Sequence, residues 1–183
     1  DEDWRKRTLK VAIPATTPIK SINLIVDGKG YAIVNKVCFL YELPDDLNTA
    51  TASFLYTYGH LTQCYDNKTG LLRDRARWPI NDYAAIQATG AFALVTAIAY
   101  DLGFVEENSA RSIIENIKEK MLTLPTHNGL LPHFLINGDI AETTEYSSLD
   151  SVISLISTIM ACQSLNISTS SLEDMINEFD WNE

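Results

Sequence analysis

From residue 84 to residue 100, only Gln87, Thr89, Gly90 and Thr96 interrupt an otherwise apolar run. This is the segment that most limits how the chain can fold. A helix that crosses a bilayer needs about 20 strongly apolar residues. Here the run is shorter, rich in alanine, and closed by Asp82 and Asp101. It therefore reads as a buried helix, with Asp82 as its N-cap and Gly103 as its stop. A helix that is apolar on all sides must be surrounded by other elements. Ala88, Gly90, Ala91, Ala93 and Ala97 would let those neighbours come close.

The rest of the chain supplies candidate neighbours. Residues 47–65 carry Phe54, Leu55, Tyr58 and Leu61 along one helical face. Residues 106–122 place Ile113, Ile114, Ile117 and Met121 on one stripe with charges opposite. Residues 148–165 are apolar over most of their circumference and should be buried on several sides. Residues 170–179 form a short fifth helix. By contrast, residues 1–45 read as β, with strands flanking Asp27-Gly28-Lys29-Gly30, a strong hairpin turn. Two long connections separate the helices, residues 66–81 and 125–147, the second with a hairpin expected around Asn137-Gly138. The expected fold is mainly α: a partial (α/α) toroid of about five helices over residues 46–183, preceded by a small antiparallel β segment over residues 1–45. At 183 residues the chain is long enough for one domain with a small appendage.

Charge narrows the partners. The net charge is −10, from 14 Lys+Arg and 24 Asp+Glu, which argues against nucleic acid or an anionic membrane. Residues 1–45 hold 7 basic and 6 acidic side chains (+1), and residues 46–183 hold 7 and 18 (−11). A site in the helical part sits in an acidic field, suited to a neutral or cationic ligand. Cys38, Cys64 and Cys162 are too few and too dispersed for a disulfide scaffold or a zinc cluster. His127 and His133, six apart, have no metal-ligand spacing, and no metal or cofactor is expected. Phosphate-binding glycine loops, nucleophile elbows and Cys–His pairs are absent from the sequence.

The polar chemistry gathers in the two long connections. Asp74 stands between Arg73 and Arg75. It is either an ion pair that pins the loop or an ionised base or acceptor for a sugar hydroxyl. Glu145 precedes the fourth helix and Asp150 falls in its first turn, where the helix dipole favours anions. Ser147 and Asp150 read as a capping box. The alternative is that Glu145 points out of the helix mouth beside Tyr146, partly buried, as a general acid requires. Trp78, Tyr83, Phe134 and Tyr146 are aromatic surfaces that pack in a core or stack on sugars. Asn67-Lys68-Thr69 and Asn166-Ile167-Ser168 are glycosylation sequons, which matter only in a glycosylating host.

Several segments, in order, resemble one family. Tyr65-Asp66-Asn67-Lys68-Thr69-Gly70-Leu71-Leu72-Arg73-Asp74-Arg75 is similar to the NPETGLVPDR segment of bacterial glucoamylase-like proteins. Those proteins belong to the (α/α)6-toroid glycoside hydrolases, a group that includes β-1,2-glucan-degrading enzymes. Ala85-Ile86-Gln87-Ala88-Thr89-Gly90 resembles SIAATGFGL, and Leu102-Gly103-Phe104 resembles the end of that helix. Asn128-Gly129-Leu130-Leu131-Pro132-His133-Phe134-Leu135 resembles NGFFYHFLD. Glu145-Tyr146-Ser147-Ser148-Leu149-Asp150-Ser151 resembles ELSTIDT. The likeness covers about residues 54–165. It implies hydrolysis of glycosidic bonds in a glucan or other oligosaccharide, outside the cytoplasm (periplasmic, cell-surface or secreted). Glu145 would be the proton donor, and Asp74 would orient a hydroxyl or activate water. Arg75, Trp78, His133, Phe134, Tyr146 and Asp150 would bind substrate. Pro132 departs from the family's aromatic at that place. A complete toroid of twelve helices takes on the order of 300 residues, so five helices call for either the rest of the toroid or a second copy. The rival readings are a non-catalytic carbohydrate-binding or assembly module on the same fold, and a helical interaction domain without a sugar ligand.

Overall fold

A computed structural model describes residues 48–74 and 83–180. The β segment expected over residues 1–45 lies outside the described residues, as do Arg75, Trp78 and Asp82. Five helices are present: α1 (Thr49–Cys64), α2 (Ile86–Asp101), α3 (Glu107–Thr123), α4 (Ser148–Ser164) and α5 (Ser170–Asn177). Between them run β1 (Tyr65–Asp66), β2 (Leu71–Leu72), β3 (Tyr83–Ala85), β4 (Phe134–Ile136) and β5 (Asp139–Ile140). The described fold is mainly α with small antiparallel sheets, as the helical periodicity implies.

The centre of the helical array is the seam between α2 and α4. Every small residue that interrupts or dilutes the apolar run has a use there. A Cβ on Gly90 would stand 2.4 Å from both Cα and the carbonyl oxygen of Ser154, so the two backbones touch without a side chain between them. Asp101 at the far end of α2 accepts from the Ser164 hydroxyl at 3.2 Å. The two contacts run in the same sense, so α2 and α4 are parallel. The hydroxyls in the seam are buried but satisfied. Thr89, Thr96, Ser154 and Thr158 each donate to a backbone carbonyl three or four residues back. No helix here is long and apolar enough to cross a membrane, among the described residues.

α3 closes the seam from behind. Its buried face is Ala110, Ile114, Ile117 and Met121, the expected stripe extended to Ala110, with Ile113 partly buried at its edge. Arg111 donates to the Leu165 carbonyl at 2.6 Å and Met121 meets the Thr158 hydroxyl at 3.4 Å, so α3 runs antiparallel to α4. The parallel pair α2 and α4 thus forms the inside of the array, and α3 returns antiparallel against both. In α1, Tyr58 is buried, and it stacks on Phe54 and on Phe92 of α2.

Two expectations need correction. The second helix does not begin after Asp82: Tyr83–Ala85 is strand β3, paired antiparallel with β4, and α2 starts at Ile86 with no side-chain cap. Strand pairing buries Ala84 and Ala85 as well as a helix would, and pattern alone does not separate the two. Within the first long connection, β1 and β2 form a short antiparallel hairpin. As expected, α4 is buried on several sides, against α2, α3 and α5, and its remaining side is open. Leu149, Ile153, Ile156 and Met160, at spacings of four, three and four, are 40–67% exposed, forming an apolar stripe turned away from α2.

The Asn137-Gly138 hairpin is present between β4 and β5, with φ of +53° and +88°. This is the left-handed pair that a two-residue turn of the mirror-image type requires. Asn128-Gly129 repeats the device at φ +51° and +80°, and His127 and Leu130 exchange both backbone hydrogen bonds across it.

Two predictions test the packing. Gly90→Ala drives a methyl into the Ser154 backbone and should cost about 3 kcal/mol or more, at the upper end of overpacking effects. Gly59→Ala, with nothing within 4 Å of the added methyl, should instead stabilise α1 by about 0.5–1 kcal/mol; thermal unfolding of both variants checks the pair. Cys162 is fully buried on α4, and burial pushes its thiol up from 9.0 to about 11, against Lys118, which lowers it, with Glu115 adding to the rise. A group raised on folding stabilises fully below its unfolded value, so this contribution is complete below pH 9 and is lost as pH climbs to about 11. Cys162→Ala should therefore flatten the fall in unfolding free energy measured between those two pH values.

Candidate active site

The segment from His127 to Asp150 is threaded across the N-terminal ends of α2 and α4. Ser151, buried in the first turns of α4, accepts the Leu131 N–H at 2.9 Å and donates to the Ser147 carbonyl at 2.7 Å. Ser147 caps the helix, its hydroxyl accepting the Asp150 N–H at 3.3 Å. On the other side, the Ile86 N–H at the start of α2 donates to the His133 carbonyl at 3.0 Å. The returning strand-like segment pairs with the same stretch: Pro132 bridges Tyr146, the His133 N–H donates to the Glu145 carbonyl at 2.8 Å, and the Phe134 N–H donates to the Thr144 hydroxyl at 2.9 Å.

His133 is thereby held from four directions. Its Nδ1 lies 3.0 Å from Glu145 Oε1 and 3.3 Å from Asp150 Oδ2. Its Nε2 faces the Gln87 amide nitrogen at 3.3 Å. Its ring lies on Phe134, with centroids 3.8 Å apart and planes 16° from parallel. With only carboxylates facing Nδ1, the neighbours select a ring that carries a proton on Nδ1. The carboxylate of Asp150 thus turns to His133, while the capping of α4 is done by Ser147. Asp150 and His133 are nearly covered, with side chains 14% and 17% exposed. Glu145 is 72% exposed, so the expected partial burial of this group is absent. Tyr146 stands against His127, ring centroids 5.4 Å apart.

Asp74 occupies the other end of the same sheet. Its N–H donates to the Tyr83 carbonyl at 2.8 Å, beside the Arg73–Ala84 bridge. Opposed residues share a face of a sheet, so Asp74, Tyr83 and Ile136 lie on the face opposite buried Ala84 and Leu135. On that face Tyr83 meets the Phe134 ring edge-on at 6.2 Å. A strip of successive contacts runs from the Asp74 backbone to Tyr83, from Tyr83 to Phe134, from Phe134 to His133 and from His133 to Glu145. The Asp74 and Glu145 backbones are three strand steps apart and offset by three residues along the strands, about 17 Å at ordinary spacing, so the two carboxylates stand at opposite ends of the strip and are not in contact.

Of the residues singled out in the sequence, Glu145, His133, Asp150 and Phe134 are brought together, Tyr146 borders them, and Asp74 lies across the strip. Arg75 and Trp78 fall outside the described residues. Gln87 was missed as a site residue. Its signal was a large polar side chain one turn into an otherwise apolar helix. Its Oε1 is buried without a hydrogen bond among the described residues. Among those residues, no three ligand-type side chains are arranged to hold a metal ion. A surface groove of about 350 Å³ lies elsewhere, lined by Lys68, Asn116, Lys120 and Asp139 among others. Of its two lysines, Lys120 is committed to the Gly138 carbonyl at 2.8 Å.

No family model, curated protein or solved structure matches this chain.

Ser151→Ala should strand the Leu131 N–H in the core at a cost of about 1–3 kcal/mol. The same change releases the His133-bearing segment from α4. Amide exchange at Leu131 and His133 should accelerate more than exchange in α3; uniform acceleration would contradict this local tether.

Proposed function

We propose that the described helical domain carries one wall of a saccharide cleft and acts as a glycoside hydrolase. The observation that carries this reading is the strip from Asp74 to Glu145: aromatic rings set between two carboxylates, one of them held by a fixed histidine. A sugar presents apolar C–H faces and a rim of hydroxyls, which such a strip matches. The acidic field of residues 46–183 suits a neutral glucan. Glu145 serves as proton donor to the leaving oxygen, and Asp74 activates water or orients a hydroxyl. The resemblance of five segments to glucoamylase-like proteins supports the same assignment, with an extracytoplasmic location. Inverting enzymes set their carboxyl pair roughly 6.5–9.5 Å apart and retaining enzymes 5–5.5 Å, and the anomer first released tells the two apart.

The exposure of Glu145 and the bare stripe on α4 belong to the same reading. Catalysis of this kind needs water excluded, and a further wall, from the rest of a toroid or from a second copy, supplies that cover. The second reading, a carbohydrate-binding module without turnover, draws on the same 72% exposure of Glu145.

An oligosaccharide panel of β-1,2-, β-1,3- and α-1,4-glucans separates the possibilities. A ligand at 100 times its Kd adds about 2.7 kcal/mol to stability, so one linkage should raise the unfolding temperature clearly. Glu145→Gln should keep that shift and abolish hydrolysis, and NMR of the anomer that the wild type releases decides between inversion and retention. Binding without hydrolysis in the wild type supports the binding module instead. No shift with any glycan removes the saccharide reading.

A further inference from the structure

We infer that His133, fixed by Asp150, is a positioning residue that aims Glu145 and takes up its charge when Glu145 gives away its proton. This rests on the proposed glycosidase reading for its chemistry, but its geometry stands independently.

The Nδ1 contact to His133 is the side-chain contact that the structure gives Glu145; otherwise that carboxyl is exposed. The imidazole is not free to follow it. Phe134 fixes the ring plane, Gln87 fixes the far edge, and the His133 backbone is tied on one side to Ile86 and on the other to Glu145. A ring so held presents its Nδ1–H at one place. Glu145 is therefore aimed by a rigid partner although it sits on an exposed segment.

Two carboxylates share that single N–H, at 3.0 and 3.3 Å. One hydrogen cannot bond fully to both. While Glu145 is protonated, Asp150 is the sole carboxylate drawing on the N–H. In the step itself, the Glu145 O–H bond breaks, the proton goes to the glycosidic oxygen, and the bond from that oxygen to the anomeric carbon breaks with its electron pair staying on oxygen. Water supplies the hydroxyl to the carbon and gives its other proton to Asp74. The new Glu145 carboxylate then competes for the Nδ1–H. The hydrogen bond to Glu145 strengthens as negative charge develops there, the condition for an interaction to speed a reaction instead of merely binding substrate. Asp150 keeps the ring in the form that has this hydrogen to offer.

The test compares His133→Asn, which keeps an N–H donor near the Nδ1 position, with His133→Leu, which has none, and uses Asp150→Asn to remove the support. Nitrogen-detected NMR of the wild-type histidine rings is expected to show His133 protonated on Nδ1, with its signal displaced in Asp150→Asn. A ring protonated on Nε2 alone overturns the inference whether or not any glycan is hydrolysed. With the glucan found by the panel, His133→Leu should lower kcat by about 10–100-fold, part of the general-acid contribution, with KM changed less than about threefold. His133→Asn should recover most of that loss. A loss confined to KM, or an Asn variant as impaired as Leu, overturns the positioning role. If the wild type hydrolyses nothing, the glycosidase reading fails, and the NMR result alone decides whether His133 holds Glu145.

Discussion

Everything described depends on how closely α2 and α4 approach one another at Gly90 and Ser154. With no side chain between them, two helices that are parallel and unequal in sequence become one platform. Their N-terminal ends are brought level, so that Gln87 from one and Asp150 from the other reach the same imidazole. A wider seam would separate those two groups by the width of a side chain. The contact is steric: the hydroxyls of Thr89, Thr96 and Thr158 donate to backbone carbonyls four residues back, and among the described residues the hydroxyl that bonds across from α4 to α2 is Ser164, to Asp101 at the far end.

Those hydroxyls have a second use. Each serine or threonine that donates backwards to a backbone carbonyl leaves its oxygen able to accept. Thr89 accepts the N–H of Leu72, and Ser151 accepts that of Leu131. Both connections that carry candidate site residues are therefore tied to the inner helices by a buried hydrogen bond worth about 1 kcal/mol. The first leads into Asp74 and the second into His133. Interior helices rich in serine and threonine thus anchor the irregular segments above them without introducing an unsatisfied group in the core.

Much of this was legible in the sequence, and the failures have physical causes. The five helices follow from periodicity, and the Asn137-Gly138 turn from the left-handed conformation those residues accept. Glu145, His133, Phe134 and Asp150 stood out because polar and aromatic residues clustered beside a helix start. The strand Tyr83–Ala85 did not, because Ala84 and Ala85 extend an apolar run and its strand character comes from pairing with residues fifty positions away. Gln87 was obscured by its neighbours, since one amide in an apolar helix carries no spacing signal until His133 is placed against it. The exposed stripe on α4 was also invisible: composition shows that a helix is apolar all round but not which of its sides has a neighbour. The partial burial expected of Glu145 failed for a related reason, because burial is a property of what stands opposite.

The close fit at Gly90 has a consequence for how this domain can vary. The alignment of Gln87 with Asp150 is transmitted through a missing methyl group, not through a bond that either residue makes. A change at residue 90 and a change at the site would thus be coupled without any contact between them. The scope for drift in the His133 cluster is set one helical turn below it, in a place where no chemistry occurs.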